Sequence, residues 1–405
     1  MTENTSASQV KRIYSLDILR GLAIALVLIR HAPVESAFSD NIFKSAFHLL
    51  YQIGWTGVDL FFVLSGYLIS GLLFKEFDRT GKLDIPRFWL RRGFKIWPSY
   101  FFTYGLLLLA SLAAKIVSGK PERAITQVRE ELPNFVFIQN YFSPDIRWPH
   151  SWSIAVEEHF YFALPILLYL LFIKNRKQDP ARQNKFKGFL LLGMLLCAAV
   201  LAMRLFLVST GQTAWQSYYY PTHFRMDSLC CGVLIGYLHR YHATWFKNAG
   251  KFWPYLLLLV PLGLSLSIFY PLESSTATFT YGFTIFYIVY GGLVLLAANY
   301  PDFGKTGAKI LVWPSWALAT MGVYSYTIYL AHSVVYKLGR LDLLRNALKD
   351  SIWADTFLTL LFWALSIGIG ILISHLIERP FLILRDKWCP RVAPQANLQA
   401  AEQPT

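Results

Sequence analysis

Arg20 and His31 bracket an apolar run, RGLAIALVLIRH over residues 20–31. At 100° per residue their spacing brings both side chains onto one helix face, roughly 16 Å apart along the axis. Asp17, one turn earlier, joins that face and can pair with Arg20. His31 is the one side chain of this stripe that titrates near neutral pH. Ionisable groups inside a membrane are costly and face a cavity or a partner. A structural Asp17–Arg20 pair with an interfacial His31 accounts for the stripe as well as a functional role does. Arg30 points 100° away from His31 and can snorkel to the outer interface.

A second anomaly is PHSWSIAVEEHFYFALP, residues 149–165. Ser153, Glu157 and Tyr161 recur every four residues and share a face, while Glu158 points about 100° aside. A carboxylate buried near a histidine is ordinary equipment for general acid–base chemistry. In THFRMDSLCCGVLIGYL, residues 222–238, Arg225 and Asp227 stand two apart and cannot face one another on a helix. Structural pairing with other helices is expected for both, with Asp227 a candidate partner for Arg204. His332 closes GVYSYTIYLAH above Tyr329, Ser325 and Gly322, and a structural hydrogen bond is its expected role. The loop KEFDRTGKLDIPRFWLRRGFKIWPSY, residues 75–100, gathers Arg87, Arg91, Arg92 and Lys95. Membrane topology alone would explain these cations; as a site they suit phosphates. No Walker loop, GxGxxG, GxSxG or HExxH pattern occurs, so a nucleotide triphosphatase is unsupported.

The elements that must hold these residues are membrane helices. The 405-residue chain is 55% hydrophobic and 15% charged, against about 25% charged for soluble domains. Ten candidate spans are read near 13–32, 53–74, 97–117, 151–173, 188–208, 223–239, 252–270, 279–299, 318–337 and 352–376. Residues 308–318 are read as an interfacial helix leading into the ninth. With both termini cytoplasmic, the predicted cytoplasmic segments hold 24 Lys/Arg and the outer ones 10. This is the positive-inside bias, and it makes the net charge of +14 a topology signal rather than a nucleic-acid footprint. The start of the chain lacks the form of a signal peptide. Cys197, Cys230, Cys231 and Cys389 lie in no predicted outer loop, and no CxxC pattern announces a metal. The expected fold is an all-α polytopic bundle. Residues 1–12 form a cytoplasmic tail, 13–390 the transmembrane domain, and 391–405 a disordered cytoplasmic tail.

Taken together these stretches resemble the acyltransferase 3 family of bacterial membrane O-acyltransferases over about residues 14–385. SLDILRGLAIALVLIRHA resembles its opening Arg-x10-His motif. GVDLFFVLSGYLISGLL, RRGFKIWPSYF, SWSIAVEEHFYFALP, FRMDSLCCG and SYTIYLAHSVV follow in the family's order. His159 departs from a usual Gln, and Ser333-Val334 from a common Trp-Pro. Many relatives append a periplasmic SGNH esterase-like domain, for which this chain is expected to have no room. The resemblance implies transfer of an acyl group, usually acetyl, from cytoplasmic acyl-CoA to a sugar or glycan hydroxyl, in the bacterial inner membrane; no metal is expected, because no metal-ligand spacing occurs. Under it, Arg20, Arg91, Arg92 and Lys95 would hold the donor. His31 would act as general base or carry the acyl group, and Glu157, with Glu158 beside it, would orient His31. Asp17, Ser153, Tyr161, Arg225, Asp227 and His332 would support. A glycan-precursor transporter or flippase, using the same charges as a polar pathway, is the alternative; a structural subunit of an export complex is another. Acceptor, acyl chain and oligomeric state are not legible.

Overall fold

The structure is a computed structural model that describes residues 12–33, 42–142, 148–173, 187–305, 309–339, 344 and 352–390. Residues 1–11 of the predicted N-terminal tail and all of 391–405 lie outside the described residues. The described chain is helical, with no strand among its elements.

The principal helices are α1 (Tyr14–Arg30), α2 (Ile42–Gly54), α3 (Gly57–Thr80), α4 (Ile85–Val117), α5 (Trp152–Leu168), α6 (Lys187–Ser209) and α7 (Met226–Tyr241). They continue with α8 (Trp253–Phe269), α9 (Phe283–Asn299), α10 (Lys309–Val323), α11 (Ser325–Leu338), α12 (Ile352–Ile373) and α13 (Arg379–Trp388). Local chemistry explains several ends. The Asp84 carboxylate accepts the Arg87 N–H at 3.2 Å to open α4. Gly81, at φ 68°, closes α3 in a left-handed turn that favours glycine.

Helices occupy all ten intervals expected from the sequence. Six among the described residues are long and apolar enough to cross a membrane, or seven if Ala243–Gly250 and α8, bent by 69°, form one broken span. The shortfall has a physical cause. α1, α7 and α11 are short, with 17, 16 and 14 residues, and carry buried polar groups such as Asp17, Asp227 and His332. The ninth expected span is divided at Tyr324, and the stretch read as an interfacial lead-in forms α10, which packs along α1.

The most extensive pairings are α3 with α7, α1 with α10, and α11 with α12. Glycine permits the first two. A Cβ on Gly66 would lie 2.0 Å from the Leu229 carbonyl oxygen, and one on Gly232 2.1 Å from that of Val63. At the α1–α10 crossing, a Cβ on Gly322 would lie 1.8 Å from the Asp17 backbone carbonyl oxygen. Small residues let helix backbones meet where apolar burial gives no driving force. Gly66→Ala is therefore expected to cost about 1–3 kcal/mol through overpacking, while Gly71→Ala, with nothing within 4 Å of its added carbon, should stabilise by up to about 1 kcal/mol. Thermal unfolding in detergent reads both, and equal midpoints would mean that the crossing is not tight.

The exterior is apolar. Leu258 and Leu262 on α8 are each 67% exposed and Phe269 75%, whereas Arg204, Asp227, Arg225 and Asp59 are fully enclosed. Apolar outside and ionic inside is the arrangement that lipid surroundings favour.

Candidate active site

His31 caps the C-terminus of α1. Its ring meets two others, with centroids 4.3 Å from His150 and 5.1 Å from His332; His150 and His332 are 4.7 Å apart. His150 rides on the 3-10 turn Pro149–Ser151 that leads into α5, and His332 sits in α11. Backbone carbonyls set two of the three tautomers. His31 Nδ1–H donates to the Val27 carbonyl at 2.9 Å, and His332 Nδ1–H donates to the Tyr329 carbonyl. Each ring thus keeps its lone pair on Nε2. The His332 Nε2 is buried and has no hydrogen-bond partner among the described residues.

A polar line leads from this cluster down α5. The Tyr329 hydroxyl donates to the His150 carbonyl oxygen at 2.8 Å and meets the Ser153 hydroxyl at 2.8 Å. One turn on is Glu157, whose Oε2 accepts the Tyr161 hydroxyl at 2.9 Å. Tyr161 also bonds Ser65 of α3. The Arg92 guanidinium lies 5.8 Å from the Tyr161 ring centroid, within the reach of a cation–π contact, and Glu157 attracts it. Ser153, Glu157 and Tyr161 thus share a face, as their spacing requires, and join the histidine cluster to a cationic one.

The cations fall into two kinds. Arg20 is paired with Asp17 at 2.5 Å, as expected. Arg91 bonds Asp386 at 3.0 Å and the Cys389 carbonyl, and Lys95 bonds Glu378. Arg92 has no ion pair with a carboxylate among the described residues. Arg20, Arg92 and Lys95 lie close enough to repel one another, so three cations gather at the Arg20 end of α1. Arg30 pairs with Glu273 at 2.5 Å and lies 4.6 Å from the Tyr51 ring centroid.

The structure corrects the expected His31–Glu157 contact. No hydrogen bond joins them among the described residues. Glu157 is turned toward Tyr161 and Arg92, and His31 toward two imidazoles. Glu158 does point elsewhere, accepting the Trp97 indole N–H at 3.0 Å. The Arg204–Asp227 pair expected from the sequence is present: Arg204 Nη2 donates to both carboxylate oxygens, at 2.8 and 2.7 Å. The missing partner of Arg225 is Asp59, 2.6 Å away, a lone acid in the apolar run of α3 whose need for a counter-cation was the available signal. His150 was not foreseen. The three histidines belong to three elements, so no local spacing announces them, and the expectation of no metal rested on such spacings.

A model described as an acyltransferase domain matches residues 13–379. O-acetyltransferase OatA of Staphylococcus aureus strain NCTC 8325 is 29% identical over 235 residues, 55% of this chain and 34% of that protein. A protein of S. aureus strain COL, provisionally named an O-acetyltransferase, is 26% identical over 245 residues, 58% of this chain and 36% of its own length. The chain therefore spans about a third of the length of the curated relatives it matches. No solved structure matches it. With the acyltransferase model covering nearly the whole chain and all six sequence stretches inside it, this helical membrane protein belongs to the acyltransferase 3 family.

Proposed function

We propose that the protein is an O-acyltransferase of the bacterial inner membrane. In this reading it moves an acyl group, acetyl in the first instance, from cytoplasmic acyl-CoA to a hydroxyl of a sugar or glycan. The observation that carries the proposal is the pair of clusters at the two ends of the α1 stripe, bridged by the polar face of α5. The cationic end suits the phosphates of a coenzyme thioester. The imidazole end presents the His31 Nε2 lone pair, the group needed to take a hydroxyl proton. The hydroxyl oxygen attacks the thioester carbonyl carbon as His31 takes its proton. The carbon–sulfur bond then breaks, and the proton passes to the departing thiolate. The charge bias supports the topology of this reading: ten spans, both termini cytoplasmic, donor side in and acceptor side out.

The relatives named O-acetyltransferases support acetyl as the group carried. Labelled acetyl-CoA offered to the purified protein tests the reaction, and mass analysis of surface glycans with and without the gene identifies the acceptor. An enzyme that neither transfers nor hydrolyses label would sink the proposal.

The two kinds of cation predict a difference. Arg92→Ala removes a cation that is in no ion pair with a carboxylate among the described residues, so the KM for donor is expected to rise about 10- to 100-fold, the value of one or more charge-assisted hydrogen bonds. Arg91→Ala removes a cation already bonded to Asp386 and Cys389 and is expected to change KM less. Equal effects in steady-state titrations of donor would refute this ranking.

A further inference from the structure

We propose that His31, His150 and His332 form a binding site for one divalent transition-metal ion of the zinc class. The three rings offer ligand nitrogens that all lie within 4.8 Å of one another. Tetrahedral zinc with nitrogen ligands at about 2.0–2.1 Å needs them roughly 3.4 Å apart, so modest ring movements complete the triangle. Two rings already have the arrangement typical of metal-bound histidine, in which the second nitrogen donates to a backbone carbonyl and fixes the ligating one. Those donors are His31 Nδ1 to Val27 and His332 Nδ1 to Tyr329. The ligand nitrogen of His332 is a buried polar atom otherwise left without a partner, a costly state that coordination removes. His150 is the adjustable member. It stands half-buried on a three-residue turn, and its ring makes no hydrogen bond among the described residues.

The donor set selects the ion. Three imidazoles suit zinc, copper, nickel and cobalt, while magnesium and calcium prefer oxygen. Lys337 adds positive potential at His150, so binding must come from ligation and not from general attraction of cations. Three protein ligands leave a fourth position open. The consequence for catalysis rests on the acyl-transfer reading: an ion on Nε2 of His31 occupies the lone pair that would take the acceptor proton, so zinc is expected to inhibit transfer.

Full-length protein in detergent, stripped with chelator, is titrated with zinc, and retained metal is counted after desalting. One equivalent is expected, with the intense visible bands of tetrahedral cobalt when Co²⁺ replaces zinc. His150→Ala should weaken binding more than about 100-fold, since even outer partners of ligands are worth 10–100-fold. His150→Cys, which keeps a ligand, should retain binding and add a sulfur-to-cobalt charge-transfer band. His48→Ala, removing an exposed histidine elsewhere, should leave the titration unchanged. No retained zinc, or binding indifferent to His150→Ala, overturns the site. The outcome for His31 is separate. Absent zinc binding with His31 still essential for transfer overturns the metal site alone, whereas zinc that binds and accelerates transfer upholds the site and overturns the base role.

Discussion

Replacing His31 with alanine, at matched membrane levels, is expected to lower acyl transfer by about 10²–10⁴-fold, the usual contribution of a positioned general base. Expression and the KM for donor should stay near wild type, because the ring lies at the opposite end of α1 from Arg20 and makes no hydrogen bond to the cationic cluster. Its one hydrogen bond among the described residues is to the Val27 carbonyl of its own helix, so little of the bundle depends on it. Glu157→Gln is expected to cost less and to act differently. Glu157 accepts from Tyr161 and attracts Arg92, so its loss should appear mainly in donor KM. Glu158→Gln keeps the Trp97 hydrogen bond and should be milder still. Steady-state rates against both substrates separate these cases. Wild-type turnover in His31→Ala would end the mechanism, and a turnover loss in Glu157→Gln as deep as that of His31→Ala would restore direct support of the base by Glu157.

The second large effect is on folding. Asp59→Ala is expected to cost about 3–5 kcal/mol, because it leaves the Arg225 charge buried without its counter-ion. Asp59 and Arg225 are 2.6 Å apart, and neither side chain is exposed at all. The pair is also incompletely satisfied: Asp59 Oδ2 and Arg225 Nε and Nη1 lack hydrogen-bond partners among the described residues. Removing both charges should therefore be far less damaging than removing one. Asp59→Leu combined with Arg225→Met is expected to recover most of the lost stability. The full recovery is not expected, since the Arg225 guanidinium also lies 3.8 Å from the Phe283 ring centroid. Yield of monodisperse protein and the unfolding midpoint check this. A double variant as unstable as Asp59→Ala would mean that the pair itself, and not the orphaned charge, holds α3 to α7.

What could be read along the chain was whatever depends on one helix at a time. Apolar runs located the helices, because lipid requires backbone groups to be satisfied within the segment. Helical spacing put Asp17 beside Arg20, and Ser153, Glu157 and Tyr161 on one face. Both arrangements are present. Arg204 and Asp227 could be matched as well, since a buried cation demands a carboxylate and few were on offer. Which helices meet, and at what height, depends instead on close backbone crossings such as Gly66 with Leu229 and Gly322 with Asp17. The packing of helix on helix also sets Glu157 and Tyr161 near Arg92 and brings His150 from a short turn against His31 and His332. Periodicity fixes the direction of a side chain about its own axis; only packing of one axis against another decides that the neighbours of His31 are two imidazoles and not a carboxylate.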